Sequence, residues 1–433
     1  MNNCCIQVGL PNPPTLATAS RVANTITTTW IADDSNNQIT NADLFVVDAY
    51  EQGQTKSAGT CVSASTSCTI ADLLPSLEYN IEVRCVNEAG SSTPISVFVG
   101  LFDNQITQGE AGLKDFIETN DNFGSSITSA DFNGDGIFDL LVGSTGESTD
   151  SSVSEGIVHA IQTFPNLSNN SLILRQASDD DSGENSGFGT SLATGDFNGD
   201  GIDDIAIGAP YENIAGNENA GVVQIFYGGS LEFSNGPIFH QNTSGIGGVA
   251  AAGDRFGASV ASGDINGDGF DDVIVGVPGE HRCWTRVCGA VGSINVIYGT
   301  AEGLSSAGDH YFTQNSRGIG GKSAVGDEFG AFVTSGDIND DGFADVIIGA
   351  PGERISSYND AGAVHVLYGT ANGTTTTDDL YLYASQSAFT GTSQTNARFG
   401  TSVATIGKDL IIGAPGTTIS GASNAGAIYY LTQ

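Results

Sequence analysis

The sequence predicts an all-β chain in two parts, a small β-sandwich followed by a β-propeller. Three observations carry this. Phe-Gly recurs at Phe123-Gly124, Phe188-Gly189, Phe256-Gly257, Phe329-Gly330 and Phe399-Gly400, with successive spacings of 65, 68, 73 and 70 residues. Each recurrence brings the same series of strand-like runs in the same order, which is the mark of a repeat architecture. Residues 10–104 instead hold short runs that alternate apolar and polar residues between turn-rich segments, the pattern of half-buried strands.

In the N-terminal part the expected strands are Ile26–Ile31, Leu44–Tyr50, Tyr79–Val86 and Ile95–Leu101. Their spacing, without a helix-period stretch, reads as a β-sandwich. Pro11–Pro14 followed by Trp30, the stretch Leu74–Val83 and the turn Asn87–Ser92 resemble a fibronectin type III domain. The resemblance implies a core position for Trp30 and a tyrosine corner at Tyr79. Residues 1–9 form an extension ahead of this domain, and residues 105–433 form the propeller.

Within each repeat, Phe-Gly opens a strand of small residues such as Thr190–Gly195. An apolar strand ending in a turn comes next: Leu140–Ser144, Ile205–Pro210, Val273–Pro278, Val346–Pro351 and Leu410–Pro415. A third strand follows, as in Gly221–Gly228 or Gly362–Gly369, and a weaker fourth includes His310–Gln314. Four strands repeated radially make a propeller blade, and a blade alone leaves apolar faces that only its neighbours can cover. The paired Phe-Gly and Gly-Ala-Pro signatures resemble the FG-GAP repeats of integrin α-subunit heads. Those heads have seven blades, whereas five are countable here. Ala427–Gln433 reads as a third strand without its fourth, and Leu113–Glu118 as a fourth without its first three; together they would close a five-bladed ring. The alternative is an arc completed by another chain.

Asp-rich loops follow the first strand in four of the five repeats. Asp131, Asn133, Asp135 and Asp139 lie at positions 1, 3, 5 and 9 of the first loop. Asp196, Asn198, Asp200 and Asp204 fill the second, Asp264, Asn266, Asp268 and Asp272 the third, and Asp337, Asn339, Asp341 and Asp345 the fourth. Alternate oxygen side chains closing on one point suit a hard cation, as in the first part of an EF-hand loop. Gly136, Gly201, Gly269 and Gly342 at position 6 allow the sharp turn, and the carbonyls of Ile137, Ile202, Phe270 and Phe343 at position 7 would add an oxygen. Asp, Asn and Gly also dominate ordinary turns, but four equivalent loops predict four Ca²⁺ sites. In the fifth repeat the loop shrinks to Thr405–Asp409, and Lys408 would oppose a cation, so no ion is expected there. Carboxylates packed at a turn repel one another without the ion, so binding should couple to folding.

The balance of 13 Lys+Arg against 50 Asp+Glu gives −37, which argues against nucleic acid and anionic lipid as partners. Four calcium ions would offset only a small part of that excess, leaving an acidic solvated surface. No run of 18 apolar residues suggests a membrane span, and Met1–Ile6 does not read as a signal peptide. Among seven cysteines, Cys61 with Cys68 and Cys283 with Cys288 have spacings that suit disulfides closing short loops, hence an oxidising, extracellular or cell-surface setting. Cys4, Cys5 and Cys85 remain.

His281, Arg282, Trp284 and Arg286 make a basic, aromatic insertion suited to contact. Glu147, Glu212, Glu280 and Glu353 recur just after the Gly-Ala-Pro-like turns, which favours a structural over a catalytic role. The expectation is a non-catalytic adhesion, recognition or surface-assembly module with an extracellular protein or glycan partner, self-assembly being a further option. A lectin or a glycan-active enzyme is the alternative.

Overall fold

The computed structural model describes residues 16–22, 25–31, 44–51, 56–65, 67–71, 73, 79–87, 90–99, 108, 113, 117–148, 155–162, 171–177, 185–229, 233–284 and 287–432. Among them every regular element is a strand, and no helix is long and apolar enough to cross a membrane. The chain divides into two compact units, Met1–Ile106 and Thr107–Gln433.

In the first unit, Leu16–Val22, Thr25–Ile31 and Ser67–Ile70 form one antiparallel sheet. Ser57–Ser63, Leu44–Glu51 and Tyr79–Asn87 form the other, and Gly90–Ser91 and Ile95–Val99 both pair with Tyr79–Asn87. Alternation puts Tyr79, Ile81, Val83 and Cys85 on the inner face, where they meet Phe45, Val47 and Ala49 and, from the other sheet, Ile26 and Ile70. Cys61 and Cys68 are bonded, and because they lie on different sheets the disulfide staples the sandwich. Cys85 is a free, buried thiol, and burial raises its pKa. Tyr79 is buried as expected. The side chain of Trp30, together with Cys4 and Cys5, lies outside the described residues.

Among the described residues the second unit holds five blade sheets and a two-stranded sheet, His281–Trp284 with Val287–Ala290. Blade 1 is Phe123–Ala130, Asp139–Ser144, Ile157–Ile161 and Ser171–Arg175. Blade 2 is Ser191–Gly195, Asp204–Ala209, Val222–Tyr227 and Ser234–Phe239. Blade 3 is Ser259–Gly263, Asp272–Val277, Ser293–Tyr298 and Ser305–Phe312. Blade 4 is Phe332–Gly336, Asp345–Ala350, Ala363–Tyr368 and Thr375–Leu382. Blade 5 has three strands among the described residues, Ser402–Ile406, Asp409–Ala414 and Ala427–Leu431. First strands of successive blades lie side by side, and those of blades 1–4 line a cleft of about 610 Å³ with small hydroxyls such as Ser126, Ser191, Ser259 and Ser335.

The cores lie between blades. Leu141, Val158 and Leu174 of blade 1 pack with Phe188, Ile205 and Phe226 of blade 2, and the same layer recurs at each junction as far as blade 5. This explains the two signatures. The phenylalanines of the second to fifth Phe-Gly pairs are completely buried. In blades 1–4 the glycine of the apolar second strand lies against the Phe-Gly carbonyl of the next blade: a Cβ on Gly208, Gly276 or Gly349 would stand 2.1 Å from the oxygen of Gly257, Gly330 or Gly400. No side chain fits at that contact.

Leu113, Ile117 and Glu118 are not in a strand, and Ala427–Leu431 pairs only with Asp409–Ala414 among the described residues. The middle of the expected fourth strand Leu113–Glu118, residues 114–116, lies outside the described residues. The Nε2 of Gln108 donates to Glu147 at 2.8 Å, as Gln176 does to Glu212 and Gln314 to Glu353. Ile428 and Tyr430 in blade 5 and Ile127 in blade 1 are 74%, 72% and 66% exposed, so these end blades carry apolar faces with no neighbour among the described residues.

Candidate metal centres

Each Asp-rich loop joins the first and second strands of its blade, and position 9 is the first residue of the second strand. The loop is built from its own amides. In blade 2 the Asp196 carboxylate accepts from the N–H groups of Gly199, Asp200 and Gly201 at 2.6, 3.1 and 2.8 Å. Asn198 Oδ1 accepts from Asp200 N, and Asp200 Oδ1 from Ile202 N. Blade 3 repeats this set with Asp264, Asn266 and Asp268. Blade 1 with Asp131, Asn133 and Asp135 and blade 4 with Asp337, Asn339 and Asp341 both repeat it except for the position-4 amide. The glycines at position 6 have φ between 82° and 90°, a left-handed conformation that L side chains disfavour.

Position 9 is different in kind. Asp204, Asp272 and Asp345 are completely buried and Asp139 nearly so. Asp272 accepts from Ile265 N at 3.0 Å and from Gly299 N at 2.9 Å. Asp204 does the same with Phe197 and Gly228, and Asp345 with Ile338 and Gly369. Burial pushes Asp204 and Asp272 up to about 7, and Asp345 to about 6; the amides pull the other way, and the carboxylates at positions 5 and 1 push further up. A carboxylate held so close to protonation by desolvation and like charge is one that a cation would favour in its ionised form.

The carboxylates of one loop do not crowd together. Among the described residues, the one set of three acidic, His or Cys groups whose ligand atoms lie within 4.8 Å of one another is Glu118, Asp121 and Glu147 at the entry to blade 1. Those groups are already engaged, since Asp121 accepts from Glu118 N and Glu147 from Gln108. The loops are more open, with their oxygens turned to their own amides. The donor set nevertheless fits a hard cation: carboxylate, amide and carbonyl oxygens and no nitrogen or sulfur.

Blade 5 lacks this arrangement. Ile406 pairs with Asp409 across a tight turn, and Lys408 Nζ lies 2.6 Å from Asp340 Oδ2 of the blade 4 loop. The lysine thus meets the neighbouring acidic loop.

The recurrent glutamates are internal. Glu212, Glu280 and Glu353 are buried and take hydrogen bonds from Gln176, Gln241 and Gln314. Asp327 beside Glu353 is pushed up to about 8 by burial and by the Glu353 charge, and Asp254 meets His281 Nδ1 at 3.1 Å. The glutamine partners were not anticipated, although a Gln within two residues of the end of the fourth strand in blades 1–3 was visible as a repeated letter. Cys283 and Cys288 face each other in the hairpin His281–Trp284/Val287–Ala290; their side chains, like those of Trp284 and Arg286, lie outside the described residues.

Comparison with known proteins agrees with this geometry. The FG-GAP repeat model matches residues 123–161, 188–226, 256–290 and 329–367, and the fibronectin type III domain model matches residues 12–98. The chain is similar to Integrin alpha pat-2 of Caenorhabditis elegans, 34% identical over 200 residues, covering 43% of this chain and 14% of that protein. Integrin alpha-PS5 of Drosophila melanogaster is 32% identical over 168 residues, covering 38% of this chain and 15% of that one. The chain thus spans only about a seventh of the length of these relatives. A solved rhamnogalacturonan lyase of Bacillus licheniformis aligns over 98% of this chain and 76% of its own at 13% identity and a TM-score of 0.39. The chain carries a fibronectin type III domain followed by four FG-GAP repeats similar to those of integrin alpha chains.

Proposed function

We propose that this chain is a non-catalytic extracellular adhesion or recognition module whose blades are braced by Ca²⁺. The observation that carries the reading is the recurrence of one oxygen-donor loop at the same place in four blades and its loss in the fifth. The side chains of positions 1, 3, 5 and 9 and the carbonyl of position 7 would hold the ion: Asp131, Asn133, Asp135, Ile137 and Asp139 in blade 1, and their equivalents in blades 2–4. The ion supplies positive charge that lets the carboxylates close on one point. The chain supplies the buried anchor at position 9 and the amides that orient the rest. The similarity to integrin alpha chains supports the adhesion reading.

Burial of the recurrent carboxylates supports a non-catalytic role. Cleaving a glycan needs two carboxyl groups about 5–10 Å apart that reach the substrate, whereas Glu212, Asp254, Asp327 and Glu353 are at most 3% exposed. The test is binding of the calcium-loaded chain to immobilised matrix proteins and to a glycan array, with polysaccharide breakdown assayed in parallel. Calcium-dependent protein binding without breakdown is expected. Turnover of a polysaccharide would contradict the reading.

A further inference from the structure

We propose that Asp203 and Asp271, at position 8 of the second and third loops, are positioning residues for the calcium site of the preceding blade. The loops of blades 1–3 then fill cooperatively. This rests on the calcium reading above.

Neither residue occupies a ligand position. Each stands between two that do: Asp203 between Ile202 and Asp204, Asp271 between Phe270 and Asp272. Each reaches across the junction and grips the backbone of position 1 in the loop before it. Asp203 N donates to Asp131 O at 3.2 Å, and its Oδ2 accepts from Asp131 N at 2.8 Å. Asp271 N donates to Asp196 O at 2.9 Å, and its Oδ2 accepts from Asp196 N at 3.1 Å. The contact is close enough that a Cβ on Gly195 would stand 2.5 Å from Asp271 Oδ2.

Position 1 is the hub of each loop, since its carboxylate takes two or three of the loop's own amides. An ion in blade 3 would hold Phe270 and Asp272, and therefore Asp271 between them, which in turn orders Asp196 in blade 2. The second ion then meets a loop already partly ordered, which is positive coupling, and linkage makes it mutual. The junctions are graded. Those between blades 1 and 2 and between 2 and 3 have both bonds. The next keeps only the backbone bond, Ala344 N to Asp264 O at 2.9 Å, because position 8 is alanine.

Coupling of this kind is typically worth about 5- to 150-fold in affinity. The experiment is a calcium titration of the metal-stripped full chain, read by calorimetry, with hydrogen exchange at the Asp196 amide. The wild type should bind with a Hill coefficient above 1. Asp271→Ala should keep the ion count but weaken the blade 2 site at least about 5-fold, flatten the titration and unprotect the Asp196 amide. Asp271→Asn retains an acceptor without the charge and should keep both the steepness and the protection. Several ions bound independently by the wild type, or an unchanged titration in Asp271→Ala, would overturn the coupling and leave the calcium sites standing. Loss of steepness in Asp271→Asn with the amide still protected would assign the effect to charge and also overturn it. No ion bound at all would remove both readings.

Discussion

Two aspartates of one loop, Asp268 and Asp272, separate a metal site from an ordinary turn. Asp268 is exposed, and its acceptor bonds are to groups that water also reaches. In calcium-free solution its negative charge only raises the cost of ionising Asp272. Asp268→Ala in EDTA should therefore be close to neutral, within about 0.5 kcal/mol, as for most surface changes. In calcium the same substitution removes a ligand, and losing an ion present at about 100 times its Kd costs about 2.7 kcal/mol. Asp272→Ala behaves differently. It leaves the buried Ile265 and Gly299 amides without an acceptor, at about 1–3 kcal/mol each, so it should cost about 2–6 kcal/mol even in EDTA. Calcium would add the linkage loss on top. Urea unfolding of both variants in EDTA and in saturating calcium measures all four numbers. If Asp268→Ala costs the same in both media, the loops are turns and the reasoning fails.

Other consequences follow from the same geometry. Because the folded state raises Asp204 and Asp272 to about 7, it binds more protons than the unfolded chain, whose carboxyls titrate near about 4. The calcium-free chain should thus gain stability from these groups as pH falls from about 7 to about 4, while calcium affinity falls over the same range. Unfolding in EDTA at several pH values tests this, and a pH slope unaltered by Asp272→Asn would contradict it. Gly276→Ala puts a methyl 2.1 Å from the Gly330 carbonyl and should cost about 3 kcal/mol or more; a cost no greater than that of Gly308→Ala, where nothing lies within 4 Å, would refute the packing account. Reducing the Cys61–Cys68 bond should destabilise the N-terminal domain by about 2–3 kcal/mol without moving the propeller's transition. Cys85 should stay unreactive to a maleimide until that domain unfolds.

The repeat was legible because its signals are local and recur. Phe-Gly and the second-strand glycine mark the two sides of one inter-blade contact, so both appear as fixed letters. The Asp-rich loops were legible for the same reason. What lay outside local pattern was missed. The amides of Gly228, Gly299 and Gly369 that anchor position 9 come from the far end of the third strand, about 24–27 residues away in sequence. The grip of Asp203 and Asp271 crosses from one blade to another, and nothing in a single loop predicts it. In the sandwich, Leu16–Val22, Ser57–Ser63 and Ser67–Ile70 were not anticipated as strands because Ser, Thr, Gly and Cys dilute the apolar alternation. The reading of Leu113–Glu118 as a fourth strand rested on a short apolar pattern. Its middle, residues 114–116, lies outside the described residues.

The most direct test of calcium bracing is anomalous diffraction from crystals of the chain grown in calcium. Four peaks are expected, one against each of Asp131–Asp139, Asp196–Asp204, Asp264–Asp272 and Asp337–Asp345, with none at Thr405–Asp409 beside Lys408. Loops that carry no peak at saturating calcium would contradict it.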